Sequence, residues 1–336
     1  MTAEERTPPG LAVREATAAD NAALIALELE SPIFVGDVEE TFDRSPDFFA
    51  GYRVLGDHRV VLGEVEGRTV GVMAGVIQTP LVQAKPHRLA YIRQARVHPD
   101  FFGRRVAWTM ANELFRWAAE RRAEGPYYVI SPGNERSLAF VERGGRRWPL
   151  DVTLLQLDVS LAEGGSAERL RESHLEAAVG LVNATHAGEE FFEPLTLESL
   201  RERLGRDGRY SLGNLYGAFE DETLVAVAGL WDRGAIAERI DFDRETGETT
   251  RSREAAVVDW GWATGQEDAF AGLLRHLAAE SRALGRPALV VCEPSPGALP
   301  DAGLPGRRVS GALFTPTMEP PPAEAVRGLF FDMLCW

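Results

Sequence analysis

The sequence predicts an α/β (α+β) protein of two tandem lobes, and three observations lead to this prediction. The chain has 336 residues, which suits two domains that each bury a core of their own. Strand and helix patterns follow one another in the first half and recur, more faintly, in the same order in the second. Residues 161–168 between the halves are rich in small residues, as in a linker. We therefore expect domains at 1–160 and 169–336.

The first half begins with a strand, a helix and a hairpin. Residues 11–17 alternate like a strand, and Thr17 followed by Asp20 predicts the start of a helix. Residues 60–78 form two β-rich runs, and Gly67 between them predicts a turn. The mixed segment 31–58 separates the helix from the hairpin.

The next predicted strand, residues 89–97, carries polar side chains on both faces. Strict alternation places Tyr91 and Arg93 on one face and Gln94 on the other. Polar groups in a sheet usually point into a cleft or into solvent, and both explanations are open here. We expect Tyr91, Arg93 and Gln94 to be candidate substrate-binding residues.

A helix and a second strand complete the core of this half. Residues 105–122 carry an apolar stripe at helical spacing, residues 127–131 form an apolar strand, and a short helix begins near Asn134. Asn134 and Ser137 lie one helical turn apart, with Phe140 one turn further, so polar groups stand at the helix start and apolar ones behind.

Two segments at this place resemble a known family. Residues 97–107 (VHPDFFGRRVA) and 134–140 (NERSLAF), followed by Gly145, look like the cofactor half of an acyl-CoA-dependent N-acyltransferase of the GNAT superfamily. The resemblance implies a mixed, mostly antiparallel central sheet flanked by helices in each lobe, and acetyl-CoA or another acyl-CoA as co-substrate. The residues that it assigns to the cofactor are Val97, Gly103, Arg104, Arg105, Val106, Ala107, Asn134, Ser137 and Phe140.

The physical basis of the first segment is a helix start that holds phosphate. The first backbone N–H groups of a helix have no intrahelical partner and carry partial positive charge, so they bind a diphosphate readily. Gly103 gives the turn its freedom, and Arg104 and Arg105 add formal positive charge beside the amides.

Three positions depart from the family pattern. Phe102 stands where the family has Gln or Arg. Arg105 stands where the family has glycine, and its side chain either crowds the phosphate or grips it. Val141 stands where the family often has a tyrosine that protonates the departing thiolate, and valine has no proton to donate. Three explanations are open: another residue supplies the acid, the thiolate leaves unprotonated, or this lobe has no transferase activity.

The function implied by the resemblance is transfer of an acetyl or other short acyl group to the amine of a small molecule. Glu28, Glu30, His98 and a water held by the backbone are the candidate general bases, and a backbone N–H near Val97 would polarise the thioester carbonyl. By analogy with the family, segment 31–58 would shape the acceptor pocket. The alternatives are a protein that binds acyl-CoA or a metabolite without turnover, and a GNAT-fold thioester hydrolase.

The composition limits the kinds of partner that we expect this protein to bind. The net charge of -15 argues against nucleic acid, and it is compatible with a cationic acceptor or simply with solubility. No stretch approaches the roughly 20 apolar residues that span a bilayer, and residues 1–10 lack a signal-peptide core, so we expect a soluble, cytoplasmic monomer or homodimer. The two cysteines, Cys292 and Cys335, and the six histidines show no ligand spacing, so we expect no metal.

The second half differs where the phosphate loop would lie. Residues 264–268 (TGQED) contain two acidic residues and no basic one, which would repel a diphosphate. We therefore expect this lobe to be degenerate, with a structural or substrate-shaping role. We expect the charged insert 240–254 to be a mobile hairpin tip or loop, and residues 327–336 to form an apolar strand that closes the second sheet.

Overall fold

The structure is a computed structural model that describes residues 7–335. Its strands are β1 (Ala12–Glu15), β2 (Ile33–Val35), β3 (Val38–Asp43), β4 (His58–Val65), β5 (Arg68–Gln78), β6 (Leu81–Val82), β7 (Lys85–Pro86), β8 (Leu89–Val97), β9 (Gly125–Ile130), β10 (Arg146–Asp158), β11 (Glu168–Arg169), β12 (Leu215–Glu220), β13 (Thr223–Trp231), β14 (Glu238–Asp243), β15 (Thr249–Ser252), β16 (Glu254–Trp262), β17 (Ala288–Glu293) and β18 (Gly306–Thr315). Its α-helices are α1 (Asn21–Glu30), α2 (Val106–Glu120), α3 (Glu135–Val141), α4 (Leu175–Thr185), α5 (Leu197–Gly205) and α6 (Glu267–Ala283).

One large sheet runs through both halves of the described chain. Its twelve strands lie in the order β1-β4-β5-β8-β9-β18-β10-β17-β16-β13-β12-β11. The neighbours are mostly antiparallel, whereas β8 with β9 and β16 with β17 are parallel. The predicted fold class is confirmed, because a mixed, mostly antiparallel sheet is flanked by helices and the strand plan of the first half recurs in the second.

The two halves exchange strands at the centre of this sheet. Strand β10 from the first half pairs with β17 of the second, and β18 from the second half inserts between β9 and β10. Each half therefore completes its sheet with a strand that the other half supplies. The boundary at residue 160 remains a proposal, and hydrogen bonds of the sheet cross it.

The local predictions for the first half agree with the structure. Asp20 Oδ2 accepts a hydrogen bond from the Thr17 backbone N–H at 2.7 Å, just before α1 begins. The turn between β4 and β5 lies at Glu66 and Gly67, which both have positive φ. Helix α2 packs closely on β5 at Gly71. A Cβ at this position would lie 2.7 Å from Met110 Cε, so the close approach requires glycine.

Of two expectations for the second half, one agrees with the structure in part and one was wrong. Residues 240–254 contribute to a β-hairpin of β14 and β15, as one form of the prediction had it, and β14 pairs with β3 of the first half in a separate four-stranded sheet. This hairpin therefore joins the halves through β14. Residues 327–335 form no strand beyond an isolated bridge between Leu329 and Glu190, followed by a 3₁₀ turn at Met333–Cys335. Residue 336 lies outside the described residues.

Within residues 7–335, no helix combines the length and the apolar character that crossing a membrane requires.

Candidate active site

Strands β8 and β9 separate in the middle of the sheet and open a cleft. They pair from Leu89 with Gly125 to Tyr91 with Tyr127, after which β9 pairs only with β18. Strand β8 continues to Val97 along one wall. Ligands of α/β folds commonly bind where two parallel strands part in this way.

A β-bulge lies in β8 beside this cleft. Arg93 pairs with Ala74 and Arg96 with Val72, so β8 has one residue more than β5 between these pairs. Gln94 takes a φ of 56°, and Ala95 is exposed. The bulge interrupts the predicted alternation, and it turns backbone groups away from the ladder, as bulges beside active sites often do.

The loop before α2 contains two residues in the left-handed region. Gly103 has a φ of 73°, and Arg105 at the N-cap of α2 has a φ of 57° and a ψ of 10°. Arg105 thus takes a backbone conformation that glycine adopts more readily. Arg104 and Arg105 are exposed at the start of α2, where Val106 and Ala107 begin the helix.

Helix α3 follows β9, and its polar start caps the helix. Asn134 Oδ1 accepts a hydrogen bond from the Ser137 backbone N–H at 3.2 Å, so this side chain is an N-cap. Phe140 meets the exposed ring of Trp108 edge to face, with 6.1 Å between centroids. Val141 is buried in the core. The contact between Phe140 and Trp108 brings α3 against the start of α2.

Glu30 and His98 form one of the two groups of candidate bases. His98 Nε2 lies 3.6 Å from a Glu30 carboxylate oxygen and 2.7 Å from Arg68 Nη2. His98 Nδ1 accepts a hydrogen bond from the Asp100 backbone N–H at 3.2 Å. The imidazole is therefore fixed at the end of β8.

Glu28 belongs to a separate, buried group. Its carboxylate has no solvent exposure, lies 2.8 Å from Arg44 Nε and 3.7 Å from Arg96 Nη2, and also accepts a hydrogen bond from the Gln94 side-chain amide. These contacts describe an anchor that holds the bulge against α1. Sequence reasoning did not single out Arg44, which follows β3 in the mixed segment.

The second half contains an equivalent cleft, and residues Phe330 and Phe331 line it. Strands β16 and β17 pair only as far as Ala256 with Val290, and β16 carries its own bulge at Asp259, with a φ of 47°. The Phe330 ring lies 4.4 Å from the His186 ring, whose Nε2 lies 3.0 Å from the Trp260 carbonyl oxygen. Residues 329–331 therefore lie where β16 and β17 separate.

One part of the chain matches a family by sequence. Residues 23–145 match the model of the acetyltransferase (GNAT) family. A search of curated proteins found no match. The family match spans the bulged strand, the loop before α2 and helix α3.

Solved structures resemble the whole chain in fold. N-myristoyltransferase of Saccharomyces cerevisiae with bound myristoyl-CoA aligns at a TM-score of 0.63 and 9% identity, over 96% of this chain and 90% of that one. A GCN5-related N-acetyltransferase from Sphaerobacter thermophilus aligns at 0.60 and 14% identity, over 95% and 99%. A glucosamine N-acetyltransferase region of a fungal multi-domain β-N-acetylglucosaminidase aligns at 0.61 and 13%, over 92% of this chain and 38% of that one. At these identities the likeness shows the fold.

Proposed function

We propose that the chain is an acyltransferase of the GNAT superfamily with acyl-CoA as co-substrate, and that it acylates the primary amine of a small molecule. The acyl group proposed is acetyl or another short chain. The observation that carries the proposal is the bulged β8 beside a left-handed phosphate loop, both inside the matched residues 23–145. The glucosamine N-acetyltransferase region supports a small amine as acceptor.

The reaction balances as a direct transfer. The neutral amine nitrogen attacks the thioester carbonyl carbon, a C–N bond forms, the C–S bond breaks, and coenzyme A leaves as a thiolate. The bulge of β8 supplies the backbone N–H that polarises the carbonyl. Because a thiol has a pKa near 8.5 in water, the thiolate leaves without the acid that Val141 cannot supply.

The proton of the attacking amine needs an acceptor. We assign this role to the pair of Glu30, the last residue of α1, and His98, which follows β8, because the Glu30 carboxylate is exposed and His98 Nε2 lies 3.6 Å from one of its oxygens. Glu28 is assigned a positioning role, since its oxygens already contact Arg44, Arg96 and Gln94.

The cofactor is assigned to the first half. Arg104 and Arg105 lie at the start of α2, whereas the start of α6 carries Glu267 and Asp268. A diphosphate is attracted by the first pair and repelled by the second.

The test combines titration of acetyl-CoA by calorimetry with release of free thiol across a panel of amines. We expect one binding site per chain and thiol release that depends on an amine. Binding without release for any amine would identify a non-catalytic binder, and release without amine would identify a hydrolase. Either result refutes the proposal.

A further inference from the structure

Arg136, the second residue of α3, lies over two aromatic rings from other parts of the first half. Its guanidinium carbon lies 3.9 Å from the centroid of the Phe102 ring, in the loop before α2, and 4.9 Å from that of the Phe34 ring in β2. A guanidinium over the face of an aromatic ring is attracted by the electrons of that ring. The start of α3, the loop before α2 and β2 therefore meet at one side chain.

The N–H groups of this guanidinium are not used within the described chain. Arg136 is exposed, and it makes no hydrogen bond or ion pair among residues 7–335. A guanidinium has five N–H donors along its edge, and contacts through its face leave them unused. The chain has 51 acidic and 36 basic residues, so potential partners are plentiful. An exposed arginine that is held in place without an acidic partner points to an anion from outside the chain.

The position of Arg136 is appropriate for a phosphate of the cofactor. Phe102 directly precedes Gly103 and Arg104, in the loop that we assign to the diphosphate. The contact with the Phe102 ring therefore holds the guanidinium beside this loop. Guanidinium groups bind phosphate oxygens through parallel N–H donors, and one that is already held loses less freedom on binding.

The second half contacts the Phe34 ring as well. Arg244 lies in the turn between β14 and β15, and its guanidinium carbon lies 5.5 Å from the centroid of that ring. Arg244 Nη2 donates a hydrogen bond to the Gly36 carbonyl oxygen at 2.8 Å and lies 3.3 Å from a carboxylate oxygen of Asp37. The Arg244 backbone N–H donates to the Asp37 carbonyl oxygen at 3.0 Å. Arg244 therefore fixes the turn that follows Phe34.

This turn packs against the residues before α3. The Gly36 backbone N–H donates a hydrogen bond to the Gly133 carbonyl oxygen at 3.4 Å. Gly133 has a φ of 83°, and a Cβ there would lie 2.9 Å from the Gly36 nitrogen, so the close approach requires glycine. The second half thereby holds Phe34 against the start of α3, where Arg136 lies.

We propose that Arg136 is a phosphate-binding residue of the cofactor site and that Arg244, from the second half, positions it through Phe34. This inference rests on the function proposed above, which assigns acyl-CoA to the first half. The second half then contributes to cofactor binding without a cofactor of its own, because its β14–β15 turn holds the ring on which Arg136 is oriented.

The experiment measures by calorimetry the dissociation constants of coenzyme A and of dephospho-coenzyme A, which lacks the ribose phosphate, at two salt concentrations. The variants are Arg136→Gln, Arg136→Lys, Arg244→Gln, Arg244→Lys and Phe34→Leu. The control is Arg251→Gln in β15, which removes the same charge from an exposed side chain paired with Glu238. Thermal unfolding of every variant checks that it folds.

We expect Arg136→Gln to weaken the binding of coenzyme A by about 10-fold or more and to reduce the dependence of the affinity on salt, as for a lost charge-assisted hydrogen bond. We expect Arg136→Lys to restore part of the affinity, because lysine keeps the charge and lacks the planar group. A loss with coenzyme A alone identifies the ribose phosphate as the ligand of Arg136, and a loss with both molecules identifies the diphosphate.

The variants at the second contact test the positioning role. We expect Phe34→Leu to weaken the binding of coenzyme A by about 3-fold, with the salt dependence of the wild type because no charge is removed. We expect a similar loss in Arg244→Gln, a smaller one in Arg244→Lys, and the wild-type affinity in Arg251→Gln.

The outcomes separate this inference from the proposed function. Wild-type affinity in Arg136→Gln overturns the inference and leaves the transferase function intact. Weaker binding by Arg136→Gln, with wild-type affinity in both Phe34→Leu and Arg244→Gln, overturns the positioning role of Arg244. Weaker binding by Arg136→Gln without thiol release for any amine supports the phosphate contact and refutes the proposed function. A wild type that does not bind coenzyme A refutes both.

Discussion

Arg105 allows the backbone and the side-chain contributions to the phosphate loop to be measured separately. It is exposed and takes a left-handed backbone at the N-cap of α2, where the GNAT pattern has glycine. Arg105→Gly removes the guanidinium and relieves the backbone. Arg105→Ala removes the guanidinium and keeps the Cβ in the left-handed region.

The two effects differ in magnitude and in readout. A left-handed residue with a Cβ costs about 1 to 2 kcal/mol, and the greater freedom of glycine in the unfolded chain offsets about 0.5 to 1. We therefore expect Arg105→Gly to have a free energy of unfolding about 0.5 to 1 kcal/mol above that of Arg105→Ala. If the guanidinium binds phosphate, both variants lose about 1 to 3 kcal/mol of coenzyme A affinity, and Arg104→Ala loses a similar amount.

The assay is calorimetric titration of coenzyme A at two salt concentrations, with urea unfolding of each variant. Arg116→Ala, on the same helix, controls for a general change in charge. Tighter binding by Arg105→Gly than by the wild type would show that the side chain crowds the phosphate. Wild-type affinity in both Arg104→Ala and Arg105→Ala would remove the cofactor from this loop.

Three further predictions concern stability. Glu28→Gln leaves the Arg44 guanidinium buried beside a neutral group, and we expect a loss of about 3 to 5 kcal/mol in urea unfolding, whereas a loss below about 1 kcal/mol would contradict the anchor role. The hydrogen-bonded Arg14 guanidinium lowers the pKa of Asp20, so this pair stabilises the fold above the pKa of Asp in the unfolded chain and loses its effect as the pH falls. We expect Asp20→Asn to reduce the dependence of the free energy of unfolding on pH at the acid side. An unchanged pH profile would contradict this. Phe330→Ala removes the ring that packs on His186 and Trp260 in the second cleft, and we expect a loss of about 3 kcal/mol with coenzyme A stoichiometry still at one, which thermal unfolding and calorimetry check.

Sequence patterns within a few residues made the order of helices and strands predictable. The strand at Leu89–Val97 and the helix start near Val106 follow from patterns within a few residues. The bulge in β8 gave no such signal, because Gln94 is not a residue type that marks a positive φ. Sequence reasoning therefore found the candidate residues of this strand. It assigned them to the faces of the sheet by strict alternation, which the bulge interrupts.

Contacts between distant segments could not be read from the sequence. The exchange of β10 and β18, the pairing of β14 with β3, and the contact of Arg244 with the Phe34 ring join residues more than a hundred positions apart. A strand pattern shows that a segment will pair and not which strand it will pair with. The segment after residue 327 has strand-like composition, yet it packs into the second cleft, where Phe330 contacts aromatic rings.

A β-bulge of the same kind occurs in both halves, and the two clefts differ in what surrounds it. Gln94 in β8 and Asp259 in β16 both have positive φ, and both tie the bulge to a preceding helix, through Glu28 in one half and Arg203 in the other. The backbone device is thus the same in each half. In the first half the cleft adjoins the start of α2, with Arg104 and Arg105 just before it, whereas in the second the Phe330 segment lines the cleft and the start of α6 carries Glu267 and Asp268. The same backbone device thus stands beside opposite charges in the two halves, which is why we expect one coenzyme A site per chain.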